Sequence, residues 1–184
     1  MKRSKVVIVG LLAAISIFIP ATNTIFAESD NGNPAVARLN FQVRVAQVLH
    51  LRIGSPGGTI DTVGFDVTDI PEVQPTANGD LAPEVRVGAQ VSNGAVVTLS
   101  ADSSTAMVGA VTAANLPFTT ISCNGTGAFS SVSNLAFDGT ANQTVWQSVG
   151  RGWSEGTFSY TYANSYNYPP DTFNGQVTYT LSTP

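Results

Sequence analysis

The stretch LNFQVRVAQVLHLRI, residues 39–53, decides the fold class. Its odd positions are Leu39, Phe41, Val43, Val45, Gln47, Leu49, Leu51 and Ile53, and its even positions are Asn40, Gln42, Arg44, Ala46, Val48, His50 and Arg52. All the odd positions but Gln47 are large and apolar, which is the period of two of a strand with one buried face. The run is also too long. Fifteen residues at about 3.3 Å each extend roughly 50 Å, against a diameter nearer ~35–40 Å for a domain of this size. Two solutions exist. The strand bends near Ala46-Gln47-Val48 and passes between sheets of one domain, or its first half leaves the domain and adds to the sheet of a neighbour.

Short alternating segments follow on both sides of turn residues. Val63, Phe65 and Val67 alternate, as do Val85, Val87, Ala89 and Val91; Ser92-Asn93-Gly94 then leads to Val97 and Leu99, and Asn-Gly between two such runs predicts a hairpin. Further strands are predicted over 118–123, 129–137, 144–149, 157–163 and 176–182, separated by Gly54-Ser55-Pro56-Gly57-Gly58, Asn78-Gly79-Asp80, Asp138-Gly139 and Pro169-Pro170-Asp171. No segment has a convincing period of 3.6, and the Ala-rich stretch 105–115 has room for one helical turn at most. Eight or nine evenly spaced strands without helices imply an all-β, antiparallel sandwich of Ig-like or Greek-key type.

Composition narrows the function. Only 11% of the 184 residues are charged and 43% are apolar, so general disorder and a basic nucleic-acid surface are both excluded. The segment 1–27 reads as a secretory signal peptide: Lys2, Arg3 and Lys5 precede the apolar run 6–19, Pro20 breaks it, and Ala27 offers a cleavage point. The run is too short to span a bilayer, no Cys is available there for a lipid anchor, and the prepilin pattern of a retained apolar helix is missing. Cleavage removes every Lys. The remaining chain has five Arg (Arg38, Arg44, Arg52, Arg86, Arg151) against twelve acids, a net charge of −7. Without Lys it forms neither Lys–Asn isopeptide links nor a Schiff base nor a P-loop. A domain of this size needs no staples to fold. The second solution for 39–53 makes residues 28–46 a polar tail followed by a donor strand and leaves 47–184 as a single β-domain.

Catalytic motifs are weak. Gly152-Trp153-Ser154-Glu155-Gly156 matches G-x-S-x-G, but a nucleophile elbow needs a helix after the Ser, and a β pattern follows here. The single His, His50, precedes Ser154, the reverse of the hydrolase order. A Gly-flanked turn between two strands is the expectation. His50 on the polar side of its strand, with one Cys in the chain, gives too few ligands for a transition metal. Asp61, Asp66, Asp69 and Glu72 could offer oxygens to Ca²⁺, but their spacing does not match the loop D-x-[DN]-x-[DN]-G and solvated loop acids are expected. Cys123 reads as a small buried hydrophobe. Asn124-Gly125-Thr126 and Asn142-Gln143-Thr144 are glycosylation sequons by pattern alone. No cofactor is implied. Phe158, Tyr160 and Tyr162 share one face, expected to be core.

A leader, a polar tail, an alternating N-terminal segment, an all-β body and the final alternation Val177, Tyr179, Leu181 in Gly175-Gln176-Val177-Thr178-Tyr179-Thr180-Leu181 together resemble a pilin assembled by donor-strand complementation, as in chaperone–usher and archaic fimbriae. The resemblance covers residues 28–53 and 175–184. It lacks the early disulfide common in such pilins, and Tyr179 lies further from the end than their penultimate Tyr. It implies a secreted subunit of a surface pilus that polymerises with copies of itself and supports adhesion or biofilm. Leu39, Phe41, Val43 and Val45 would be the donor; Val177, Tyr179 and Leu181 would line the acceptor groove. It also implies a periplasmic chaperone and an outer-membrane usher as partners, with no nucleic acid and no membrane span in the mature chain. The rival readings are a monomeric binding module or adhesin that stacks glycans on Trp153, Tyr160 and Tyr162, and an extracellular hydrolase built on Ser154 or the acids of 61–72.

Overall fold

The computed structural model describes residues 30–184; the expected leader lies outside them. The chain divides into two units with the boundary between Arg44 and Val45, two residues before the expected one.

The described part of the first unit has no strand. The Asp30 carboxylate accepts the Gly32 and Val36 amides at 3.1 and 3.4 Å. The expected 15-residue strand is thus reduced to its second half: the first ladder residue is Val48, and Leu39, Phe41, Val43 and Val45 are all exposed, Phe41 at 85%.

The second unit is all-β and antiparallel. Its twelve strands are β1 (Val48–Ile53), β2 (Thr76–Asn78), β3 (Glu84–Gln90), β4 (Val96–Asp102), β5 (Met107–Gly109), β6 (Asn115–Leu116), β7 (Ile121–Gly125), β8 (Leu135–Ala136), β9 (Gln143–Val149), β10 (Gly152–Ala163), β11 (Phe173–Asn174) and β12 (Thr178–Ser182). Five of them have only two or three residues, which accounts for the excess over the eight or nine expected. One sheet has the order β1-β3-β10-β7-β8 with β2 added on β10; a second is β12-β4-β9; a third, small one is β11-β5-β6. Two turns of 3-10 helix, Phe118–Thr120 and Gly127–Phe129, replace parts of the strands expected there. Among the described residues no helix is long and apolar enough to cross a membrane.

Alternation works as it should in the ladders. Val85 and Val87 of β3, Val97, Leu99 and Ala101 of β4, and Phe158, Tyr160 and Tyr162 of β10 are buried in one hydrophobic cluster, while their neighbours face out. The register across the first sheet puts Leu49, Leu51 and Ile53 of β1 beside Ala89, Val87 and Val85, on the same inner side. In β9 both Val145 and Trp146 are buried, against strict alternation. The ladder with β4 matches Trp146 to Leu99 and Thr144 to Ser100, so Val145 is an extra residue, a bulge that turns two successive side chains inward.

Two expectations fail for physical reasons. Asn93-Gly94 does form a turn, with Ala95 N donating to Ser92 O at 3.1 Å, but β3 and β4 do not pair. Only Gly94 has positive φ, +80°, whereas the type I′ hairpin turn needs it at both central residues. Both edges of β3 are taken by β1 and β10, so the turn sends the chain from one sheet to the other. Residues 63–67 form no strand. Val63 and Phe65 are packed against the core without a ladder, and Asp80 fixes the segment by accepting the Gly64 amide at 2.7 Å.

Candidate functional site

The expected acceptor residues lie at an edge of the second unit, Tyr179 and Leu181 on β12 and Val177 just ahead of it. β12 pairs with β4 alone, so its other edge offers unpaired backbone groups, and β1 pairs with β3 alone. The two edges approach each other, with Cα atoms within 8 Å. Along this seam the inner-face residues are only half-buried: Leu49, Leu51 and Ile53 on β1, with Tyr179 and Leu181 on β12 and Val177 just ahead of it. The neighbouring inner positions Val85 and Leu99 are both 0% exposed. Burial therefore decreases from the middle of the body toward the seam.

The floor of the seam is polar at one point. The Tyr179 and Tyr160 hydroxyls hydrogen-bond at 2.9 Å, joining β12 to β10. Burial raises both phenols above their ordinary range, so they serve as neutral donors and acceptors to each other. Tyr160 and Tyr162 are buried as the core reading expects, which takes them out of any exposed stacking platform and leaves Trp153 alone of that set at the surface. Cys123, beside Tyr160 in the β7–β10 ladder, is buried and free, and desolvation pushes its thiol up to about 12.

The G-x-S-x-G segment is not a turn. It opens β10, in register with β3, while the turn itself is Gly150-Arg151. Ser154 lies opposite Val87 on the inner side and lines a shallow, open cleft of about 200 Å³ that Trp146 and Arg151 also line. His50 stacks on Trp153, the residue before Ser154, so His50 and Ser154 occupy opposite faces of one sheet. The geometry does not bring them together.

The loop acids are engaged separately. Asp61 accepts the Ser55 amide at 2.5 Å, Asp69 the Ile70 amide at 2.9 Å, and Glu72 the Tyr166 hydroxyl, while Asp66 offers its backbone carbonyl to Gln74 Nε2 at 2.8 Å. Among the described residues no group of three or more His, Cys, Asp or Glu converges. Of the sequon residues, Asn142 is exposed, whereas Asn124 accepts the Asn134 amide at 2.6 Å.

Two of the residues singled out in the sequence, His50 and Trp153, meet in a row across the outer face of the first sheet that the sequence did not predict. His50, Gly88 and Trp153 are matched across β1, β3 and β10, with the imidazole and indole centroids 5.3 Å apart. Next to it, Arg52, Arg86 and Glu155 form the following row. The signal for it in the sequence was Gly88 inside an alternating strand, which marks a close approach of another group.

Comparison with protein-family models, with curated proteins and with solved structures finds no match.

Proposed function

We propose that this chain is a structural subunit of an extracellular filament, secreted and polymerised with copies of itself by strand exchange. The observation that carries the reading is the sheet order. In an Ig-like sandwich strands A, B, E and D form one sheet and C, F and G the other. With the shortest strands and β9 set aside, β1, β3, β10 and β7 follow the order A-B-E-D, while β12 and β4 pair as F and C. The strand wanting is G, which belongs beside F, on the unpaired edge of β12 at the half-buried seam. A segment of the same chain with four apolar residues at a period of two, Leu39, Phe41, Val43 and Val45, is exposed.

An unpaired edge over an incomplete core invites addition of a strand. Burying four such side chains contributes about 1.5–3 kcal/mol each before ordering costs, and ladder bonds add to it. Val177, Tyr179 and Leu181 line the acceptor side. A chaperone that covers the seam and an usher that exchanges it for the next subunit's segment suit this design, and a pilus of such units would support adhesion or biofilm.

The test is deletion and transplantation. The chain from residue 28 onward is expected to form heat-resistant multimers. A chain without residues 28–46 should not polymerise, and fusing that segment after Pro184 through a flexible linker should give a stable monomer. If the chain from residue 28 sediments as a folded, non-exchanging monomer at high concentration, the proposal fails. So it does if the transplanted segment leaves the truncated body unfolded.

A further inference from the structure

We infer that the outer face of the first sheet carries a binding site for a neutral saccharide, with the Trp153 indole as its stacking surface. Trp153 is 55% exposed, unusual for a side chain that a fold gains by burying, and it is held in place from three sides. A side-chain carbon on Gly88 would lie 2.6 Å from Trp153 Cζ3, so the benzo ring rests over bare backbone. His50 stacks against it with 25° between planes, and the Trp153 indole Nε1 donates to Glu155 Oε1 at 2.6 Å. A rigid aromatic surface loses little freedom when a ligand lands on it.

The charges around it choose the ligand class. Glu84 pairs with Arg52 and, at 2.7 Å, with Arg86, and Arg86 reaches Glu155 at 3.4 Å. Two cations and two anions neutralise one another, so the patch has no net charge with which to attract an ion. What it offers is an apolar ring bordered by hydrogen-bond donors and acceptors. A pyranose has that complement, with an apolar C–H face and a hydroxyl rim. A protein partner would need roughly 800 Å² on its side, whereas a single aromatic side chain supplies about 150–250 Å² and the flanking Arg86, Gln90 and Glu155 are polar. Area favours a small ring over a protein surface. This site does not depend on the strand-exchange reading: it lies on the outer face, away from the inner residues of the seam.

The chain has two Trp, one buried and one exposed, so fluorescence separates them. The experiment titrates the chain from residue 28 onward with cellohexaose, chitohexaose and maltohexaose, and with an oligogalacturonate as a charged control, following iodide quenching of Trp emission. At least one neutral hexasaccharide is expected to protect Trp153 at millimolar concentration. Trp153→Ala should weaken that binding by at least about tenfold, Trp153→Phe should restore part of it, and His50→Ala should cost about threefold by loosening the stack. No protection by any of the three neutral sugars overturns the inference. Protection that persists in Trp153→Ala, or binding of the acidic oligomer alone, overturns it as well.

Discussion

The two flanks of the β-body are finished differently. On the flank between Trp146 of β9 and Phe158 of β10, the turn Gly127–Phe129 drops onto the sheet and Phe129 fills the space: it is buried, 4.9 Å from the Trp146 ring and 5.5 Å from Phe158, and Trp146 Nε1 donates to Ala128 O at 3.0 Å. The approach is possible because Gly156 has no side chain: a Cβ there would collide with the Thr126 carbonyl and lie 2.9 Å from Phe129 Cδ2. On the flank where β1 meets β12 the residues are just as apolar, yet among the described residues no 3-10 turn like Gly127–Phe129 drops onto them and they stay half-buried. Apolar composition alone does not close an edge. Closure takes a segment placed to cover it and bare backbone to admit that segment.

The largest expected effect tests this contrast directly. Phe129→Ala should cost about 3–5 kcal/mol, as for other fully buried aromatic truncations, whereas Leu51→Ala on the open flank should cost less than half as much in the monomeric chain. Thermal melts measure both. Reaction of Cys123 with a thiol reagent gives a second readout, because a thiol pushed up to about 12 in a buried site is inert until the body opens. Equal losses at the two positions would erase the distinction between the flanks.

Gly156→Ala should destabilise by about 1–3 kcal/mol through overpacking against Thr126 and Phe129, and the paired change Gly156→Ala with Phe129→Ala should recover part of that in a double-mutant cycle. On the open flank, Tyr179→Phe leaves the buried Tyr160 hydroxyl without its partner and should cost about 1–2 kcal/mol. Replacing both tyrosines with Phe should cost less than the sum of the single changes. Full additivity in denaturant titrations would mean that the hydroxyl pair does not couple β12 to β10.

The smallest effect lies on neither flank and calibrates the others. Asp171 accepts the Val111 and Thr112 amides, the Thr112 hydroxyl and the Thr172 amide, and these bonds hold its carboxyl down at about 2. Its folded-state value is below the ordinary one, so its contribution is complete above the ordinary carboxylate range and is lost as pH falls toward about 2. Melts of the parent chain and Asp171→Asn should differ most above about pH 4 and converge near pH 2, with the order of stabilities at Phe129 and Leu51 unchanged. A difference that grows on acidification would reverse the sign of this account.

Much of the β-architecture was legible in the chain. The alternations of 85–91, 97–99, 144–149 and 157–163 emerge as ladder strands, because side-chain period is a local property and one buried face is enough to impose it. Strands of two or three residues such as β8 and β11 leave no period to read and exist because neighbouring segments hold them against a longer strand. Two bracketing Gly give Gly152–Gly156 the look of a turn, but the free edge of β3 draws those residues into β10. The His50–Trp153 stack joins residues 103 positions apart and has no local signature other than Gly88.

The run 39–53 marks the boundary between the two sources of information. Its sequence by itself determined that both halves favour an extended chain with one apolar side, since Leu39, Phe41, Val43 and Val45 repeat at the same period as Leu49, Leu51 and Ile53. Only the tertiary structure decided that Val48–Ile53 pairs with Val85–Gln90 while the earlier half stays exposed and unpaired. The reason is physical: alternation assigns each side chain to a face, but a ladder also needs donors and acceptors from a distant segment, and β3 extends only far enough to supply them to the second half.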